Sequence, residues 1–422
     1  MHRKLLLVAC LVLLPSLGFA ADEEYGYPIP GAYEATIIGT PTSLMPRFPA
    51  KMHTKELVLD IFPEREKPPV FFYDEGLHCT FAYQKHKAPL VFIIAGSGSN
   101  DRADKLSTMM KAFYQQGFHV IALPSPSHAN FIVSASASRV PGDLTEDAAD
   151  LYRVMEAAWQ DVRDDVEVSS FNLCGYSLGG TEAAFVAKLD DERKLFNFRK
   201  VLMINPSVSL YTSSQRIEAL LKRLPGGPLK EGVFFNRMLS KFSQFYQLGN
   251  FVAINDQFLY AIYQSKLFSP QETAGLIGLS FRLNLAGMIF ASDVMTNGGY
   301  VVPKNRVLEP NEPLADYFMV CTHLSYLQYF DEYFYPYMKR QRPQLTRDAL
   351  VRLESLTSIE GYLKSTDKFG VMANRNDFLM SPEELSYLQR LFGERAKVYP
   401  TGGHLGNLEY KDNLAYMVGF FR

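Results

Sequence analysis

The feature that most constrains this chain is the run Leu90-Val91-Phe92-Ile93-Ile94, apolar at every position and followed at once by the small-residue turn Ala95-Gly96-Ser97-Gly98-Ser99. A strand apolar at every position is buried on both faces, and that burial is the mark of a parallel sheet covered by helices. The residues that follow keep the same rhythm. Asp104 to Gln116 predicts a helix stopped by Gly117, and Phe118 to Leu123 predicts the next buried strand. Leu144, Ala148, Leu151, Met155 and Ala158 fall on one helical face at three- and four-residue spacing. Phe171 to Cys174 reads as a strand, Thr181 to Leu189 as a helix and Val201 to Ile204 as a strand. Alternation of this kind builds βαβ units.

On the N-terminal side, Tyr33 to Ile38, Glu56 to Ile61 and Cys79 to Tyr83 predict shorter strands separated by Pro and Gly. The rhythm stops after Pro206. Residues 207–345 lack buried-strand runs, are rich in aromatics and are mostly helical in pattern. Such a length is too great for a structureless loop in a compact domain and predicts a helical cap. The rhythm resumes with strands at Phe369 to Ala373 and Lys397 to Tyr399, and helices at Ser381 to Phe392 and Leu408 to Phe421. Ser381-Pro382-Glu383-Glu384 is a helix start with Ser as N-cap, Pro at N1 and Glu at N3.

The N-terminus carries a basic head, Met1 to Lys4, then an apolar run from Leu5 to Leu17, then Gly18-Phe19-Ala20-Ala21. That order is a secretory signal peptide cleaved after Ala20, so residues 1–20 are assigned to it and export to the periplasm or medium is expected. Leu7-Val8-Ala9-Cys10 has the form of a lipoprotein cleavage box, but only five apolar-run residues precede Cys10 and a further run follows it, which disfavours that reading. No second transmembrane candidate is expected, so the mature protein is expected to be soluble. Removal of Cys10 leaves Cys79, Cys174 and Cys321, an odd number that cannot pair completely. Cys174 falls in a buried strand and is read as a core residue, and a Cys79–Cys321 disulfide is left open.

With 47% hydrophobic and 21% charged residues the chain is an ordinary globular one, and a net charge of −2 without a basic run argues against a nucleic-acid partner. No CxxC, HExxH or His/Cys cluster is present, so neither a metal nor a cofactor is expected.

Gly175-Tyr176-Ser177-Leu178-Gly179-Gly180 lies where a strand meets a helix. A serine hydroxyl is a weak nucleophile until it is held in the open and given a base. A sharp strand-to-helix turn holds it, and the small residues two positions to either side, here Gly175 and Gly179, keep that turn free of clashes. The elbow, the Gly-rich turn after Ile94 and an acid and a histidine after the last two strands together resemble the α/β-hydrolase superfamily over residues 88–206 and 346–422. The resemblance implies an α/β-hydrolase fold, with a mostly parallel central sheet flanked by helices and a helical cap inserted after the sixth core strand. The core is then residues 21–206 and 346–422, and the cap 207–345.

It also implies a triad in the order Ser, acid, His, with Ser177 as nucleophile. Asp377 follows the penultimate strand and is the expected acid; Asp367 precedes that strand and is the weaker competitor. His404, between Gly402-Gly403 and Leu405-Gly406, is the only histidine beyond His323. The oxyanion-hole donors implied are the backbone N–H groups of Leu178 and Ser97. Many relatives carry a histidine before the glycine of that turn, where this chain has Ala95. His128 and Tyr176 are possible pocket residues, and Glu182 reads as structural or solvated.

The activity implied is hydrolysis of an acyl ester, esterase-, lipase- or thioesterase-like, on a small-molecule or lipid acyl substrate, with peripheral membrane contact possible. Acyl transfer, peptidase activity, and non-catalytic lipid or acyl binding on the same fold are the alternatives. Oligomeric state is not legible in the sequence.

Overall fold

The computed structural model describes residues 25–222, 233–234 and 263–422. The expected signal peptide, the cleavage box at Cys10 and residues 223–232 and 235–262 of the expected cap lie outside the described residues.

Eight strands form one sheet: β1 (Thr54–Leu59), β2 (Leu77–Ala82), β3 (Ala88–Ile94), β4 (His119–Leu123), β5 (Val168–Tyr176), β6 (Val201–Ile204), β7 (Phe369–Asn374) and β8 (Ala396–Tyr399). Their spatial order is β1-β2-β4-β3-β5-β6-β7-β8. β1 pairs with β2 and β2 with β4 antiparallel, and every later pairing is parallel. The run that set the sequence argument behaves as expected. Leu90, Phe92 and Ile94 pack into the core on one face, and Val91 and Ile93 into the core on the other. Val201 and Met203 divide from Leu202 and Ile204 in the same way.

Helices cover both faces. Asp104–Gln115 (α2), Leu144–Val162 (α4) and Leu178–Arg193 (α5) follow the sequence expectation closely; α1 (Ala32–Ile38) and α3 (Ala129–Ser134) do not. The α1 segment, Tyr33 to Ile38, was expected as a strand because its apolar and polar residues alternate. It is a helix between Gly31 and Gly39. Tyr33 and Ile37, four apart, pack together with Phe281 and Phe378 against Leu220, Ala274 and Ile277, and that i, i+4 pair outweighs the alternation. The short α3 carries no strong periodic signal and was not anticipated.

Between β6 and β7 the described chain is helical, with α6 (Leu210–Lys222), α7 (Pro270–Thr296), Ala315–His323 and Tyr335–Gln341. A helix at Arg347–Leu353 continues the helical region beyond 345. The chain leaves and returns to the sheet at one neck, where Ser209 and Ser355 form an antiparallel bridge and the Leu356 N–H donates to Val208 O at 2.8 Å. By length and composition α7 is apolar enough to cross a membrane, contrary to the expectation that the sequence holds no second such stretch; 61% of its apolar window is buried within the protein. Leu285, Ala286, Ile289 and Phe290 of α7 build a separate apolar core with α3 and the aromatics of residues 329–338.

Cys79, Cys174 and Cys321 are free thiols, all buried. The Cys79–Cys321 disulfide left open by the sequence is not formed, because the two lie in different apolar clusters. Among the described residues no group of His, Cys, Asp and Glu could hold a metal ion.

Candidate active site

β5 ends at Tyr176 and α5 begins at Leu178, so the whole reversal falls on Ser177, whose φ of 55° and ψ of −125° lie where side chains rarely go. The turn is held by the Ser177 N–H, which donates to Ile204 O at 2.8 Å. Gly175 and Gly179 are required by proximity. A Cβ on Gly175 would lie 2.0 Å from Gly179 O, and one on Gly179 would lie 2.4 Å from both Ala95 O and Ile94 O.

The other two residues arrive from the next strand ends. Asp377 sits in the turn after β7, and the His404 loop follows β8. Asp377 Oδ2 accepts from His404 Nδ1 at 2.9 Å. That fixes the tautomer: Nε2 is left bare to accept the Ser177 hydroxyl, also at 2.9 Å. All three side chains are buried. A mostly parallel sheet in this order, a strained serine at the end of its central strand, and an acid and a histidine after the last two strands decide the architecture. The chain has the α/β-hydrolase fold.

No family model matches the sequence, and no curated protein matches it. Solved structures that align with it include an esterase from Pyrococcus furiosus, at 11% identity and a TM-score of 0.43 over 90% of this chain and 96% of that one. A proline iminopeptidase from Mycobacterium smegmatis aligns at 15% identity, a TM-score of 0.40, 84% of this chain and 96% of that one. An esterase from the archaeon Pyrobaculum calidifontis aligns at 13% identity, a TM-score of 0.40, 92% of this chain and 87% of that one. These are distant likenesses; the α/β-hydrolase fold rests on the strand order and the elbow.

Ser177 opens on a cavity of about 120 Å³ between the sheet edge and the helices α6 and α7. Ser97 and Leu178 both line it. The Gly98 N–H, one residue beyond Ser97, already donates to Ser127 Oγ at 2.9 Å, which leaves Ser97 as the better placed of the two. His128 and Tyr176, expected as pocket residues, do not border this cavity. His128 caps α3, and its Nδ1 is buried without a partner. The Tyr176 ring is buried against Gly96, where a Cβ would meet it at 2.9 Å. Asp367 forms an exposed ion pair with Arg395 and takes no part in the site.

Several residues that hold the constellation carried no signal in the sequence. Asn205, at the end of β6 with φ 45°, donates from Nδ2 to Asp377 Oδ2 at 2.8 Å. The Leu379 N–H donates to Asp377 Oδ1 at 2.9 Å, so both carboxylate oxygens are fixed. The His404 loop is clamped from the N-terminal side: Thr36 Oγ1 accepts the His404 N–H at 2.8 Å, and Gly403, at φ 57°, has room for no Cβ because Ala32 O would lie 2.0 Å away. Only the short side chains of an irregular loop and a helix assigned wrongly from pattern are involved, so periodicity could not find them. Asn205→Ala is expected to lower kcat roughly 10- to 100-fold while KM changes little, because a mispositioned acid loosens the imidazole without touching the binding cavity. Steady-state kinetics separates this outcome from a fall in kcat/KM through KM.

Glu182, read from sequence as structural or solvated, is fully buried on α5 with neither carboxyl oxygen hydrogen-bonded. The solvated half of that reading is wrong: the α4 helix covers it. Burial, and then the nearby Asp147 carboxyl, push its pKa well above the usual carboxyl range. The folded state therefore keeps a proton that the unfolded chain releases at ordinary acidic pH. The stability this gives is complete below the unfolded pKa and is lost as pH rises towards the folded one. Glu182→Gln removes that titration, so its urea midpoint should fall less between about pH 5 and about pH 9 than the wild-type midpoint. Equal slopes in the two proteins would show that Glu182 releases its proton alike in both states.

Proposed function

We propose that the protein is a serine hydrolase that cleaves an acyl ester through Ser177, His404 and Asp377. The observation that carries this reading is the continuous relay from Ser177 Oγ to His404 Nε2 and from His404 Nδ1 to Asp377, each link 2.9 Å.

In the first half-reaction Ser177 Oγ bonds to the ester carbonyl carbon as its proton passes to His404 Nε2. The carbonyl oxygen becomes an oxyanion facing the N–H groups of Leu178 and Ser97, and the N-terminus of α5 adds its dipole there. Asp377 stabilises the imidazolium and does not itself take the proton. Collapse breaks the bond to the leaving oxygen, which receives the proton from His404, and leaves an acyl group on Ser177. Water then repeats the sequence, with His404 as base, to release the acid. The cavity under α6 and α7 is mostly apolar, which suits an acyl group and limits water at the reacting carbon. Export, read from the N-terminal 20 residues, belongs to the same proposal and places the substrate outside the cytoplasm.

Labelling with a fluorophosphonate tests the nucleophile. The wild type is expected to be modified at Ser177, as located by peptide mass spectrometry, and Ser177→Ala to remain unmodified. A fully active Ser177→Ala protein would end the proposal.

A further inference from the structure

The cavity that Ser177 opens on has two kinds of lining that hydrolysis of a plain acyl ester does not call for. One is an aromatic wall of Tyr211, Phe281, Tyr326, Tyr329, Phe330 and Phe334. The other is a pair of buried carboxyls, Asp147 at the start of α4 and Glu354 at the neck of the helical insertion. Each uses one oxygen to accept a backbone N–H, Asp147 from Gly142 at 2.9 Å and Glu354 from Leu144 at 2.7 Å. Among the described residues the second oxygen of each has no protein partner.

Charge counting sharpens the point. The neighbouring acids have cationic partners: Asp143 and Glu146 share Arg342, and Asp150 pairs with Arg153. Asp147, Glu354 and Glu182 have no ion pair among the described residues. Glu182, fully buried and without any hydrogen bond, does not border the cavity and keeps its proton in the folded state. Two acids therefore border one end of an aromatic cavity with no ion-pair partner among the described residues. Burial pushes both carboxyls well above the usual carboxyl range, and a purely apolar ligand would leave their second oxygens without a partner, whereas a weakly hydrated cation would favour their ionised form and meet the faces of the rings at the same time.

The wall is shaped for this. Residues 329–334 form a π-helix, an uncommon turn found mostly at functional sites, and it brings Tyr329 and Phe334, five apart, onto the cavity together. Their rings lie 14° from parallel with centroids 6.2 Å apart. Tyr211 and Phe330 already accept a cation from outside the cavity, with the Arg347 guanidinium 5.0 and 5.3 Å from their ring centroids.

We propose that the substrate carries an ammonium group, of the trimethylammonium type, seated between Asp147, Glu354 and this aromatic wall while its acyl carbonyl lies at Ser177. The inference rests on the serine-hydrolase reading above and names the substrate class of the same site.

Two matched pairs of butanoate-sized esters test it, one pair with trimethylammonium or tert-butyl at the end of the alcohol, the other with the same two groups at the end of the acyl chain. In at least one pair the cationic member is expected to have a kcat/KM about tenfold or more above its neutral isostere. The double variant Asp147→Asn, Glu354→Gln keeps both backbone acceptors and should bring that ratio close to one. A ratio at or below one in both pairs, or a preference that survives the double variant, overturns the inference, as does failure to turn over any of these esters by a protein whose Ser177 is still labelled by a fluorophosphonate. An unlabelled Ser177 in the folded protein overturns the hydrolase reading instead, and the inference with it.

Discussion

His404→Ala is expected to lower kcat by roughly 10⁴- to 10⁶-fold, the scale at which removal of the base from a serine triad acts. Among the described residues His404 Nε2 is the only basic atom bonded to Ser177 Oγ, and His128, the nearest alternative by sequence, does not border the cavity. The loss should lie in kcat, since the imidazole moves a proton and the substrate is held by other side chains. Removing the ring also leaves a space between Ser177 and Asp377 of the shape of an imidazole. Added imidazole is therefore expected to recover part of the activity of His404→Ala and none of that of Ser177→Ala. That contrast separates lost chemistry from a disturbed fold, because a misfolded site would not respond to a small base. Steady-state turnover of a chromogenic ester with and without imidazole reads it directly; residual activity within tenfold of the wild type would remove His404 from the mechanism.

Much of the core and of the candidate site's geometry was legible because it follows from local pattern. Leu90 to Ile94 and Val201 to Ile204 are strands buried on both faces, and continuous apolar runs are what such strands require. Ser177, Asp377 and His404 were found by their positions at strand ends, and the structure brings those three side chains together across residues far apart in sequence. What failed shares one cause, which is dependence on partners distant in the chain. Tyr33 to Ile38 alternates as a strand would, but Tyr33 and Ile37 find apolar partners on α7 and beside Asp377 only as a helix. Asn205 is an ordinary polar residue until β6 and β7 lie side by side and bring it to Asp377. Asp147 and Glu354 are 207 positions apart and reveal nothing singly; only the neck that returns the helical insertion to the sheet places both at the cavity. A fold's register and its catalytic turn are written locally, whereas the specificity of its pocket is assembled from long-range contacts.

The elbow's dependence on its glycines sets the largest effect expected on stability. In Gly175→Ala the new Cβ would lie 2.0 Å from Gly179 O and 2.4 Å from Gly179 C, both main-chain atoms. No rotamer change relieves a clash of that kind, because there is no flexible side chain to move. β5 cannot retreat, since Gly175 pairs with Ile94 on one side and Met203 on the other. The first turn of α5 cannot retreat either, since Gly179 is itself packed against the carbonyls of Ile94 and Ala95. The strained backbone at Ser177 is thus held between two rigid surfaces whose separation admits only hydrogen at these positions. Overpacking of an ordinary core costs about 1–3 kcal/mol. Here the obstacle is main chain at the buried end of a central strand, and a loss of about 4 kcal/mol or more is expected. Urea unfolding should show a lowered midpoint with an unchanged slope, and fluorophosphonate labelling of the folded fraction should fall with it, because the serine can remain in place only if its elbow does. A loss under about 1 kcal/mol with labelling intact would mean that the turn can open by more than an ångström without disturbing the nucleophile, and the strain assigned to Ser177 would then not be imposed by its neighbours.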